Sequence, residues 1–330
     1  MHDHQLTDLE RLTLSRRRFI SAGALTGAAL FLGGGLLGRS ALAEAVSANS
    51  RNPLMGFANI AATNADTITL PPGYSFSTLI SWGQPLHAGG PAFKGDGSNS
   101  AAEQLLQFGD NTDGMSFFPW PGDTNRALLA SNNEYVNYRY LLPHGELPKS
   151  AEDVRKAQNA EGVTVIEVRR HNGAWSFIQG SPYNRRIHAN LPIEVSGPAR
   201  GHDLLKTQAD PAGIEVLGTF QNCSSGQTPW GTYLTCEENF SDCFGSNDAN
   251  LQFSADQKRF SVVHASVDNQ WHRFDPRFDL AQTPNELHRH GWIVEIDPFD
   301  PTAKPIKRTA LGLSLIHISE PTRRTPISYA

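Results

Sequence analysis

Apolar and polar positions along the 330-residue chain fall into short alternating runs rather than long periodic stretches. Runs of β type are YSFSTLI (74–80), ALLASNNEY (127–135), VTVIEVRR (163–170), AWSFIQ (174–179), EVLGTFQN (215–222), TYLTCEE (232–238) and WIVEIDP (292–298). Gly, Pro and Asn cut them apart. VTVIEVRR is rich in β-branched residues, and AWSFI follows it across Asn172-Gly173, a pair that favours a tight hairpin turn. The pattern predicts one helix, roughly Ala151–Asn159, just ahead of that hairpin. Short strands at irregular spacing, with 29 Gly and 21 Pro, predict an all-β fold. A β-propeller fits better than a sandwich, because hairpins joined by long polar connections suit blades with decorated loops. EGVTVIEVRRHNGAWSFI and HGWIVEIDPFDPTAKPIKRTAL share an outline of strand, turn and outgoing strand, without a strict period.

The first 45 residues have a different character. Arg16, Arg17 and Arg18 precede an apolar run from Ala22 to Leu37, shorter than the roughly 20 residues a bilayer span needs. Ala41-Leu42-Ala43 then offers a small-x-small cleavage site. Twin arginines, a mild apolar segment and this site predict a twin-arginine (Tat) export signal, with cleavage near Ala43 or Ala45. The expected organisation is a signal over 1–45, a linker over 46–66 and one large domain over 67–312. The Tat route carries folded proteins, which suits a cofactor loaded before export, because raw affinity would otherwise favour competing zinc and copper. The expected location is periplasmic or extracellular.

The formal charge is −5, and removing the basic signal makes it more negative. No other basic run exists, which argues against nucleic acid as a partner. The three cysteines, Cys223, Cys236 and Cys243, cannot all pair with one another. A Cys236–Cys243 disulfide is one arrangement, leaving Cys223 over. An exported lone thiol is either buried and inert or held by a metal.

Four segments join acids, amides or thiols to tight turns: GDNTDGMSFFPW (109–120), ASNNEYVNYRYL (130–141), NCSSGQTPWGTYLTCEENF (222–240) and RHGWIVEIDPFDP (289–301). Oxygen-rich turns suit hard cations such as calcium. Each also has a plain structural reading. Asp110 and Asp113 can form Asx turns, Glu134 can be a solvated strand end, and Asp297-Pro298 is an ordinary strand exit.

The third and fourth segments, with GPARGHDLLKT (197–207) and SPYNRRIHANLPIEVSGPARG (181–201), resemble the PhoX family of bacterial alkaline phosphatases over nearly all of residues 50–312. The resemblance implies a decorated six-bladed β-propeller that hydrolyses phosphate esters, using ferric iron and calcium grouped around a bridging oxo species. It implies that Cys223 is an iron ligand and that Glu134 is an acidic metal ligand. Glu237 or Glu238 is another, with Glu237 favoured. Neighbours in a strand face opposite ways, so one of that pair faces the metals and the other supports from behind. Gly226, Pro229 and Gly231 would shape the intervening turn, and Cys236 would be packed or disulfide-bonded. The implied partners are small phosphate esters and, during export, the Tat translocase. A monomer with no stable membrane span is expected.

The chain departs from the family pattern in two places. Asn111 and Thr112 stand where the family carries a histidine. LSLIHISEPTRRTPISYA (313–330) follows KRTALG abruptly and looks foreign. The expectation is therefore an N-terminal part of the propeller, roughly half, with the catalytic residues beyond Gly312 and little activity of its own. The rival expectation is an exported, calcium-stabilised propeller that binds a partner and catalyses nothing. A calcium-dependent lactonase-like hydrolase would share the fold class without needing the thiol.

Overall fold

The computed structural model describes residues 60–312. The expected export signal, part of the linker and the 313–330 tail lie outside the described residues. The chain divides into two units, residues 1–77 and 78–330. The described part of the first, 60–77, contains turns but no helix or strand. The rest of the description concerns the second unit. Among the described residues, no helix is long and apolar enough to cross a membrane.

The unit is mostly β-sheet with few helices. One sheet contains β1 (Thr112–Trp120), β2 (Asp123–Asn133), β3 (Gly162–His171), β4 (Ala174–Phe177) and β5 (Arg185–Ile187). Its order is β1-β2-β3-β4, all antiparallel, and β4 and β5 pair with different stretches of β3. The β3–β4 turn is the predicted Asn-Gly hairpin. Asn172 and Gly173 take φ of 50° and 83°, the left-handed values that a type I′ turn needs at both central positions.

The second sheet contains β6 (Pro192–Ser196), β7 (Glu215–Leu217), β8 (Asn222–Gln227), β9 (Tyr233–Glu237), β10 (Ile293–Ile296) and β11 (Ile306–Arg308). Its order is β7-β6-β11-β10-β9-β8, antiparallel except for the parallel β11–β6 pair. The predicted run 215–222 is therefore two strands, broken at Gly218. There a φ of 82° and the Ala189 backbone, 2.1 Å from where a Cβ would stand, admit only glycine. No strand forms over 74–80. Tyr74 and Phe76 are exposed, while Leu79 and Ile80 enter an apolar cluster as single side chains.

Alternation places the core. On β2 and β3, Leu128, Ala130, Val163 and Val165 face Ile193, Tyr233, Val294 and Ile296 of the second sheet. The opposite positions Ala127, Ile166 and Val168 pack on Leu86 and Phe108. β3 is thus covered on both faces, which is why its sequence reads as nearly continuous apolar. Among the described residues are four short α-helices, α1 (Ala101–Leu105), α2 (Tyr138–Leu141), α3 (Ala151–Ala160) and α4 (Ala255–Arg259), with several single 3-10 turns. Ser150 caps α3 through the Asp153 amide. The buried side of α3 joins Phe220, Phe244, Trp271 and Phe278 in a third cluster.

Candidate metal centre

The β8–β9 hairpin sets the geometry. Its turn closes through Thr228 N–H to the Thr232 carbonyl (3.0 Å) and a 2.7 Å hydroxyl contact between the same residues. Gly231 supplies a φ of 90°. Register runs from Gln227↔Tyr233 to Ser225↔Thr235, then jumps to Asn222↔Glu237. This bulge sets Cys223 and Ser224 together against Cys236. A bulge re-aims side chains without ending the strand, and here it turns the Cys223 thiol inward.

Cys223 is 1% exposed. Its Sγ lies 4.0 Å from that of Cys236 and interacts with the Glu238 side chain. The Cys236 contact first, then burial and Glu238, push the thiol well above the ordinary range for cysteine. Asn132 of β2 fixes the backbone from behind. Its Nδ2 donates to the carbonyls of Cys223 (2.7 Å) and Ser224 (3.0 Å), while its Oδ1 accepts from Tyr233 and Thr235, both at 2.8 Å. β1 crosses so closely at Gly114 that an added Cβ would stand 2.5 Å from the Cys223 carbonyl oxygen.

Glu134 follows directly after β2, its N–H donating to the Asn111 carbonyl at 3.0 Å. Its half-buried carboxyl is pushed up to about 7, first by burial and then by the negative charges of Asp113 and Glu238. Residues from three places in the sequence, Asp113, Glu134 and the Cys223–Glu238 pair, therefore feel one another across the junction of the two sheets. Among the described residues, no three His, Cys, Asp or Glu side chains stand close enough to hold a metal ion as they are.

Glu237 and Glu238, the two candidates from the sequence, divide as strand alternation requires. Glu237 is fully buried away from Cys223. It accepts from Lys307 Nζ at 2.8 and 3.0 Å and from the amides of Gly291 (2.9 Å) and Trp292 (3.2 Å). Burial alone would raise its carboxyl, but the Lys307 ammonium and His290 more than offset that and hold it at about 2. Both Glu237 oxygens are thus engaged, while Glu238 lies on the side of the thiol. Lys307 and His290 carried no sequence signal, since a lysine in a short β-run reads as solvent-facing.

The remaining candidates are structural. Asp110 accepts from the amides of Asn111 and Asn137 at 2.8 and 2.9 Å, closing a turn. Asp297 caps the turn at Phe299 (2.9 Å). Glu295 accepts from Trp230, Thr232 and Arg308. All three cysteines are buried thiols. Cys236 neighbours Cys223, while Cys243 packs with Phe240 and Phe244 in another cluster, so the Cys236–Cys243 pairing does not form.

The family model for alkaline phosphatase PhoX matches residues 55–314. The chain belongs to the PhoX family. A solved structure, Pseudomonas fluorescens PhoX in complex with vanadate, a transition state analogue, is similar at 66% identity with a TM-score of 0.77. The match covers 78% of this chain and 44% of that one, so the chain spans less than half the length of that PhoX structure. No curated protein matches the chain.

The donor chemistry suits the cations that the PhoX resemblance implies. Cys223, Glu134, Glu238 and Asp113 offer one soft and several hard ligands, and the burial first and nearby negative charge second that raise Glu134 are both offset by a cation. Closing a coordination shell requires the Cys223 proton to leave and the carboxylates to move in from where they stand.

Proposed function

We propose that the whole protein hydrolyses phosphate monoesters with metal ions, and that this chain carries the part of the centre built on Cys223, Glu134 and Glu238. The observation that carries the reading is the Glu134 carboxyl, half-buried among Asp113 and Glu238 beside the Cys223–Glu238 contact. Carboxylates gathered so closely that one of them is raised toward neutral pH suit a cation, which binds in competition with the proton. Ferric iron and calcium are the proposed ions, with Cys223 toward the iron. The relative's vanadate complex supports phosphoryl transfer as the reaction class. The two sheets are proposed as parts of a β-propeller, which the family implies, and Tat export to the periplasm or beyond as the route.

Bound there, the cations would supply positive charge for the ester oxygens and for the charge that develops as the P–O bond breaks. The chain's own residues have separate tasks. Cys223, Glu134 and Glu238 hold the ions. Asn132 fixes the backbone that carries the thiol, and the Glu237–Lys307 pair fixes the end of β9, so that Glu238 keeps its aim.

The test is metal analysis together with hydrolysis of an aryl phosphate by the protein extended to the length of its relative. Stoichiometric iron and calcium, activity abolished by calcium chelation, and loss of iron in Cys223→Ala are expected. Full activity and iron content in Cys223→Ala would remove Cys223 from the centre.

A further inference from the structure

We propose that Cys223 and Cys236 are a redox pair: a peroxide joins them in a reversible disulfide, and this withdraws Cys223 from metal binding. The two sulfurs are already 4.0 Å apart across adjacent antiparallel strands. A disulfide needs them at about 2.0 Å, with the Cα atoms roughly 4.4–6.8 Å apart, a spacing that neighbouring strands supply. The bulge turns both thiols to the same side. Among their other contacts, Cys223 to the Cys236 carbonyl at 3.9 Å and Cys236 to the Ser224 carbonyl at 3.5 Å are long. Cys243, in its own apolar cluster, is no competitor.

The order of events follows from exposure. Both sulfurs are nearly closed off and the buried Cys223 thiol holds its proton, so the reaction waits on local opening beside the half-buried Glu238, where a molecule as small as hydrogen peroxide enters and the thiol ionises. The Cys223 sulfur attacks one peroxide oxygen. An S–O bond forms, the O–O bond breaks and one water leaves. The Cys236 sulfur then attacks the sulfenic sulfur, the S–S bond forms, the S–O bond breaks and a second water leaves. The two thiol protons end in the waters, the sulfurs lose two electrons and the peroxide gains them. The joined Cys223 has no thiolate to offer, so metal must arrive before the oxidant. This second half rests on the reading of Cys223 as a ligand.

The experiment treats the chelator-stripped chain with hydrogen peroxide, alkylates it and maps chymotryptic peptides, cleavage after Trp230 and Phe240 separating the three cysteines. A Cys223–Cys236 linked pair, alkylated Cys243 and full reversal by dithiothreitol are expected. In Cys236→Ser the link is lost and Cys223 runs on to sulfinic acid. Three intact thiols, a link through Cys243, or sulfinic Cys223 in the unaltered chain overturns the disulfide, whatever Cys223 binds. A second arm saturates the chain with zinc, a redox-inert thiolate ligand probe, before peroxide. Several-fold slower linkage supports the coupling to metal. An unchanged rate overturns that coupling and the ligand reading of Cys223, while the disulfide stands.

Discussion

The ammonium of Lys307 lies against both carboxylate oxygens of Glu237, at 2.8 and 3.0 Å, with neither side chain exposed to solvent. Lys307 sits on β11 and Glu237 ends β9, so the pair spans β10, the strand between them. The ammonium's other donors reach the Arg289 carbonyl and His290 Nδ1, both at 3.0 Å. His290 is thereby held as an acceptor at Nδ1, with Nε2 turned to Glu286 at 3.5 Å. The consequence for the site is one of aim. With Glu237 locked on one side, the next residue must leave the strand on the other, toward Cys223.

Removing one partner strands a buried charge. Lys307→Met is expected to cost about 3–5 kcal/mol of stability, read from urea denaturation. Glu237→Leu combined with Lys307→Met should recover part of that loss, because no charge remains to be desolvated. The pH dependence follows the same logic. Glu237 holds its proton less tightly when folded, at about 2, than its ordinary 4.5. Its contribution is full above about pH 4.5 and is lost as pH falls toward 2. Acid titration of the Lys307→Met variant should lack that limb.

Asn132 joins the sheets with four hydrogen bonds, two given to the carbonyls of Cys223 and Ser224 and two accepted from Tyr233 and Thr235. Asn132→Leu matches it roughly in volume and satisfies none of them. Each buried group left without a partner costs about 1–3 kcal/mol. The expected outcome is a clear drop in stability together with faster alkylation of Cys223, because its backbone is freed. Unchanged alkylation would show that the thiol is positioned without Asn132.

At Gly114 a methyl group would stand 2.5 Å from the Cys223 carbonyl oxygen and 2.9 Å from the Ser225 nitrogen. Both are backbone atoms that cannot rotate away. Gly114→Ala should therefore push β1 off β8 and lower the thermal midpoint by several degrees. The same substitution at Gly173, with nothing within 4 Å of the new Cβ, should cost only the strain of its φ of 83°.

How far these relationships could be read in the sequence varied with the distance over which each is set. The β3–β4 hairpin and the Ser150-capped helix are written in neighbouring residues, and both stand where the pattern places them. β5 and β11 are three residues each, too short for alternation to show. Cys223 and Glu134 were legible as candidates because a thiol and an acid beside turns are chemically conspicuous. The engagement of Glu237 by a buried lysine was not legible. It depends on Lys307, seventy residues further on, and on which face of β9 the second sheet covers. The bulge that pairs Cys223 with Cys236 was hidden for the same reason, since one extra residue in β8 reverses the facing of everything before it.

Glu134 offers the most direct test of the cation reading. Its carboxyl is raised from 4.5 to about 7 in the folded chain, by burial first and then by Asp113 and Glu238. Between those values the folded chain holds a proton that the unfolded chain has released, so stability falls as pH rises through that window. A cation placed among the acids reverses the preference and expels the proton. Calcium titrations followed by calorimetry in buffers of different ionisation enthalpy should therefore show proton release near pH 6 that fades by about pH 8, with affinity rising over the same range. Glu134→Gln should abolish the release, flatten the pH dependence of affinity and weaken binding. If the variant releases the same proton, the acid at 134 is not where the charge gathers, and the centre must be built on other oxygens.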